Sequence, residues 1–206
     1  MKNLMKSLSD YVNNRRTAKK ILKIEEEKLE KYLIHLENLE EARTIFQTAS
    51  QTTQTQLSNT IETIVSSALA AVFDDPYTFV VDFVSRRNVT ECDLLFEKNG
   101  KRYSPLDSCG FGAADIASLA LRVAYWNLDG SSRNCIVLDE PTRALSLDKH
   151  ELSSMMIKEL SKMPGGLQFI IVTHSESLAK YADKCFKVTK TNNISHVKEI
   201  LNDNTY

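Results

Sequence analysis

The sequence predicts an α/β protein in which a long N-terminal helical arm, residues 1–73, feeds a C-terminal lobe, residues 74–206, built on a mainly parallel sheet. Three observations carry this. Residues 1–73 contain neither Gly nor Pro, so the stretch can run as one or two long helices. Beyond Pro76 short apolar runs alternate with helical ones, the order expected of strands joined by crossover helices. The 206 residues suffice for one domain plus an appendage.

The arm carries a seven-residue pattern. Leu22, Leu29 and Leu36 share one position, and Tyr32, Leu39 and Phe46 share the other, with Glu25 and Arg43 interrupting. This reads as a short, imperfect coiled-coil seam, or as an amphipathic face packed on its own domain. Charge is segregated along it. Lys2, Lys6, Arg15, Arg16, Lys19, Lys20 and Lys23 face only Asp10 in residues 1–24, and "EEEKLEKYLIHLENLEE" then turns acidic. A basic tip over residues 2–23 could touch a phosphate backbone; the alternative is a solvated face. Leu57, Ile61, Ile64, Val65, Leu69 and Val72 then recur at helical spacing and lead into the lobe, and Pro76 stops the helix.

In the lobe, "YTFVVDFV" and "TECDLLFEKNGKRYS" read as strands, with a hairpin turn at Asn99-Gly100. "AADIASLALRVAYWNL" is helical, "CIVLD" a buried strand, "KHELSSMMIKELSKM" helical, "LQFIIVT" a buried strand, "SLAKYAD" helical and "KCFKVTK" a strand.

Composition sets the bounds. Hydrophobic residues make up 42% and charged residues 26%, ordinary for a globular chain. A net charge of −1 gives no global case for nucleic acid or membrane. No apolar run approaches the roughly 20 residues that span a bilayer, and "MKNLMKSLSDYVNNRR" lacks the apolar core of a signal peptide. The expected setting is cytoplasmic or nucleoid-associated. Cys92, Cys109, Cys135 and Cys185 form no C-x-x-C pair, so reduced thiols are expected rather than zinc or disulfides.

The chemistry lies at strand ends, where parallel α/β sheets bind ligands. "CIVLDE" ends in Asp139 and Glu140, and "FIIVTHS" ends in Thr173 and His174. The helix after "SCGFGAAD" offers backbone N–H groups at a glycine-containing start. An Asp for magnesium, a Glu to polarise water and a His near a γ-phosphate together suit phosphoryl transfer. Singly, each has a structural explanation; their order and spacing raise the signal.

That order, glycine turn and helix, then "CIVLDEP", then "VTHS", resembles the C-terminal lobe of an ATP-binding-cassette ATPase. The coiled-coil arm narrows the resemblance to the SMC, RecN and SbcC branch, and residues 73–108 resemble small phage- and mobile-element-borne proteins of that branch. The resemblance implies that Asp139 and Glu140 are the Walker B pair, with Asp139 on the magnesium shell and Glu140 as general base. His174 is then the switch histidine. Cys109, Gly110, Phe111 and Gly112 correspond to the signature motif that touches nucleotide on an opposite head, and Leu145-Ser146 to the D-loop.

The chain departs from that pattern in four places. Phe111 stands where the signature has Gly, Ser146 where the D-loop has Asp, and Arg143 is bulky for its loop. No G-x-x-x-x-G-K-[ST] phosphate loop, the Walker A motif, occurs: of six glycines only Gly100 precedes a Lys, and Arg102 follows. The leading expectation is therefore half of a split SMC-like ATPase. The expected association is as a homodimer, through the seam and the D-loop face, or with a hetero-partner that supplies the Walker A lobe and completes an ATP and Mg2+ site, in DNA recombination, repair or phage–host conflict. The competing expectations are a non-catalytic dimerising or partner-binding module, and a coiled-coil DNA adaptor.

Overall fold

The computed structural model describes residues 2–87, 89–106, 110–130 and 133–200, with side chains from Met5 onward. The chain divides into two compact units, residues 1–53 and 54–206. The first is the leading part of α1 (Lys2–Val72), an uninterrupted helix. Its Leu22, Leu29, Tyr32, Leu36, Leu39 and Phe46 are all exposed.

The second unit begins with the end of α1. Val65, Ala68, Leu69 and Val72 fall at helical spacing and are buried, and the helix ends before Pro76 as expected. β1 (Thr78–Arg86), β2 (Val89–Lys98) and β3 (Lys101–Tyr103) form an antiparallel sheet in that order. β1 is an edge strand, and α1 satisfies two of its outward N–H groups. Phe79 N–H donates to Ser66 Oγ at 2.9 Å and Val81 N–H to Glu62 Oε1 at 2.8 Å. A helix so placed caps an edge that would otherwise invite another strand.

α2 (Phe111–Leu128), β4 (Cys135–Asp139), α3 (Leu147–Ser161), β5 (Gln168–Val172) and α4 (Glu176–Tyr181) follow. One core joins them. Leu69 and Val72 of α1 meet Phe79 and Phe96 of the sheet, Ile116 and Leu119 of α2, Leu138 of β4 and Ile157 of α3. β6 (Cys185–Thr191) and β7 (Ile194–Ile200) close the described chain as an antiparallel hairpin.

A mainly parallel sheet was expected, and the structure corrects this. The strands fall in three separate sheets, and only β4 and β5 run parallel. β4 and β5 pair across the long crossover that contains α3, whereas the two-residue loops between β2 and β3 and between β6 and β7 permit only hairpins. Asn99 and Gly100 take φ of 54° and 70° between β2 and β3, and Asn192 and Asn193 take 48° and 64° between β6 and β7. Two consecutive left-handed residues are the signature of the tight hairpin turn. No helix among the described residues is long and apolar enough to cross a membrane.

Candidate functional site

β4 and β5 pair in register from Cys135–Gln168 to Asp139–Val172, so their C-terminal ends open side by side. Their apolar runs are strand-like because alternate residues turn inward: Leu138 is buried, and Ile136, Phe169 and Ile171 pack against the core. Glu140 N–H extends the ladder by donating to Val172 O at 2.9 Å. Glu140 then turns with φ of 45°, a left-handed conformation that costs a residue with a Cβ about 1–3 kcal/mol.

The Glu140 carboxylate is held by the end of β5. Oε1 accepts from the His174 backbone N–H at 3.0 Å and pairs with His174 Nδ1 at 2.8 Å. Oε2 accepts from the Thr173 hydroxyl at 3.0 Å. These bonds, that from the His174 ring foremost, hold the Glu140 carboxyl below the ordinary carboxylate range, against an opposing push from burial. The His174 side chain is 82% exposed, and that of Glu140 only 29%.

The Asp139 side chain is exposed and takes no hydrogen bond or ion pair from any described residue. No group of three or more His, Cys, Asp or Glu able to cage a metal exists among the described residues. A single free carboxylate fits magnesium, which keeps several waters and is commonly bound through one or two carboxylates plus substrate phosphates.

The loop from Pro141 to Ser146 is fixed from two sides. Thr142 and Leu145 are buried. Ala144 N–H donates to Asp115 Oδ2 of α2 at 2.9 Å. A Cβ on Gly112 would lie 3.1 Å from Ala144 O, so glycine lets the start of α2 approach this loop closely. Ser146 precedes α3 in an extended conformation, and its hydroxyl helps keep the Asp148 carboxyl below its ordinary range.

His150, which the sequence reading did not single out, lies on the other side. Its Nε2 is 3.2 Å from Leu145 O and its Nδ1 is 3.2 Å from Ser175 Oγ. One ring thus bridges the loop after β4 and the loop after β5. No spacing in the sequence announces it, because both partners become neighbours only once the strands pair.

The structure therefore brings Asp139, Glu140 and His174 together at two strand ends. It sets Ala144 and Leu145 beside Gly112, with Ser146 next in the chain. Gly110 caps α2 at φ −56° and ψ 142°, and Phe111 is 72% exposed. Cys109 lies outside the described residues.

No protein-family model matches the chain. Over 130 residues, 61% of its length, it is 32% identical to the DNA double-strand break repair Rad50 ATPase of Methanocaldococcus jannaschii, of which it covers 12%. It is 29% identical over 157 residues to the corresponding protein of Sulfurisphaera tokodaii, covering 17%. It is 31% identical over 115 residues to the chromosome partition protein Smc of M. jannaschii, covering 9%. The chain thus spans under a fifth of the length of these relatives. Among solved structures it is similar to the Smc head domain with a coiled coil and joint from Pyrococcus yayanosii, with a TM-score of 0.58 and 18% identity over 70% of this chain and 27% of that one. It is also similar to the SMC head domain of Thermotoga maritima, with a TM-score of 0.50 and 21% identity over 72% of this chain and 52% of that one. The likeness shows the fold alone: it is similar to part of an SMC head domain with a coiled coil.

Proposed function

We propose that the chain acts as the C-terminal lobe of an SMC/Rad50-type ATPase head, with residues 1–73 as its arm and 74–206 as the lobe, and that the phosphate-binding loop comes from another polypeptide segment. The observation that carries this is the uncovered face of the β4–β5 pair. Val137, Ile170 and Val172 are 68%, 49% and 61% exposed on the face opposite the core. Parallel sheets occur almost only with both faces covered, and a two-stranded sheet is marginal by itself. An adjoining cleft of about 780 Å³, lined by Phe79, Leu94, Leu121, Tyr125 and Trp126, reaches Cys135 and Ile136 of β4. A second lobe seated here would cover both and bring a phosphate loop to the strand ends.

In this reading Asp139 holds Mg2+, and the bound ion would neutralise phosphate charge and orient ATP. Glu140 is the general base toward water. Its carboxylate, bonded to Thr173 and His174, is a weak base. His174 swinging toward a phosphate oxygen removes the strongest influence lowering the Glu140 pKa, so proton acceptance is tied to the γ-phosphate. Cys109, Gly110, Phe111 and Gly112 are assigned the signature contact to nucleotide held by an opposite head, and Leu145 and Ser146 the D-loop. Rad50 relatives are named for double-strand break repair, which favours DNA repair or recombination over phage–host conflict, with DNA contacted through the basic residues of the arm.

One observation favours a non-catalytic, partner-binding role. Phe111 stands exposed at the head of α2, where its ring would obstruct close approach of a phosphate.

The docking claim is tested by pull-down against polypeptides from neighbouring reading frames that carry G-x-x-x-x-G-K-[ST]. Val137→Lys and Ile170→Lys are expected to abolish capture while leaving far-ultraviolet circular dichroism unchanged. Capture indifferent to both overturns the assignment of this face.

A further inference from the structure

We infer that the arm is a self-complementary surface, and that its partner is a second copy of this chain running antiparallel, with the two-fold axis passing at the level of Ile34. The seam reads Leu22, Glu25, Leu29, Tyr32, Leu36, Leu39, Arg43, Phe46. Its six apolar members are between 54% and 75% exposed. A stripe of this length on a helix surrounded by water is the half-interface of a helical pair.

The two charges in the seam identify the occupant. In an antiparallel pair centred at Ile34, Leu22 meets Phe46, Leu29 meets Leu39 and Tyr32 meets Leu36 of the other copy. Glu25 then meets Arg43, twice, by symmetry. The residues that interrupt the seam become each other's ion partners. Arg43 has no ion pair among the described residues, whereas Glu25 pairs only within its own helix, with Lys28 at 2.7 Å.

Other alignments fare worse. A parallel pair sets Glu25 against Glu25 and Arg43 against Arg43, and like charges in a seam repel. Sliding the antiparallel pair by one heptad sets Glu25 against Ser50 or Leu36, leaving a charge unmatched in an apolar layer. One other register gives Glu25 an arginine, Arg15, but it sets Ala18 against Leu22 and Tyr11 against Leu29, and leaves Leu39 and Phe46 unused. A polar pair inside an apolar seam is a recognised device for fixing register.

In the proposed register residue 53 of one copy lies about 60 Å from residue 53 of the other, at 1.5 Å per residue. The pairing does not depend on whether the lobe binds nucleotide.

The test uses the full chain with Cys92, Cys109, Cys135 and Cys185 replaced by Ser. Leu29→Cys and Leu39→Cys chains carrying different tags are oxidised separately and mixed. The expected result is a disulfide between the two kinds of chain and none within either kind. Self-linking of each variant indicates parallel pairing and overturns the proposal. So does linking of Leu29→Cys to Tyr11→Cys in preference to Leu39→Cys. In analytical ultracentrifugation the chain is expected to dimerise on concentration. A chain that stays monomeric, its seam covered only by the arm of a different polypeptide, also overturns it. Glu25→Arg and Arg43→Glu should each weaken the dimer by roughly tenfold or more, and the double exchange should restore it.

Discussion

Glu140 Oε1 engages one residue twice, the His174 backbone N–H at 3.0 Å and its ring Nδ1 at 2.8 Å. The first contact ties the two strand ends together. The second is to a side chain that is 82% exposed and can leave. One carboxylate oxygen therefore combines a bond to the backbone with a bond to an exposed ring, an arrangement the proposed general base would need.

Removing the ring should release part of the hold on Glu140. In His174→Ala the Glu140 pKa is expected to rise toward its ordinary value of about 4.3, because the strongest lowering influence is gone while Thr173 and the backbone bond remain. Carboxyl carbon NMR titration of the variant against the parent measures this. An unchanged pKa would show that the ring contact contributes nothing in solution.

The same depression sets a pH dependence. A carboxyl held below its unfolded value contributes stability that is present above about pH 4.3 and is lost as pH falls through the folded value. The stability difference between the parent and Glu140→Gln should therefore shrink as acid is added below that point. Thermal unfolding of both proteins across that range checks the sign; a difference that grows on acidification contradicts it.

Gly112 is expected to resist substitution. An alanine Cβ would meet Ala144 O at 3.1 Å, and that loop is also anchored by Asp115. With little room to yield, Gly112→Ala should cost about 1–3 kcal/mol. Denaturant midpoints measure it. A neutral result would show that the loop moves freely from α2.

His150 should matter more than a half-exposed histidine usually does. His150→Ala removes both of its bonds, to Leu145 O and Ser175 Oγ, at a cost of about 1–2 kcal/mol. Amide hydrogen exchange should accelerate in both loops together. Acceleration in only one would mean that His150 does not couple them.

Residues 6–23 expose Lys6, Arg15, Arg16, Lys19, Lys20 and Lys23 along α1. If this run contacts DNA, the logarithm of the binding constant should fall with the logarithm of salt at about −0.9 per neutralised phosphate. Gel shifts over a salt series, with Arg15→Glu and Arg16→Glu for comparison, measure the slope. Binding indifferent to salt excludes the contact.

Much of this was legible in the sequence. "CIVLD" is a strand over its full length because an apolar run of four, Cys135 to Leu138, is bounded by polar residues. Asn99-Gly100 announces its hairpin, and the lack of Gly and Pro allows α1 to run unbroken. Two features were hidden for physical reasons. In β7, Ile194, Val197 and Ile200 recur every three residues, a helical spacing; the strand is exposed throughout and formed by its turn rather than by a buried face. The parallel sheet was over-extended because alternating strands and helices do not reveal that β6 pairs with β7 rather than with β5. At the site, Asp139, Glu140 and His174 could be read from strand ends, whereas His150 and the contact of Gly112 with Ala144 depend on elements distant in sequence.

ATP turnover by the purified chain, alone and with a separately supplied phosphate-loop lobe, tests the proposed function most directly. The expected result is no turnover from residues 1–206 alone, turnover on combination, and its loss with Glu140→Gln. Robust turnover by the single chain, or turnover by the pair that survives Glu140→Gln, would contradict it.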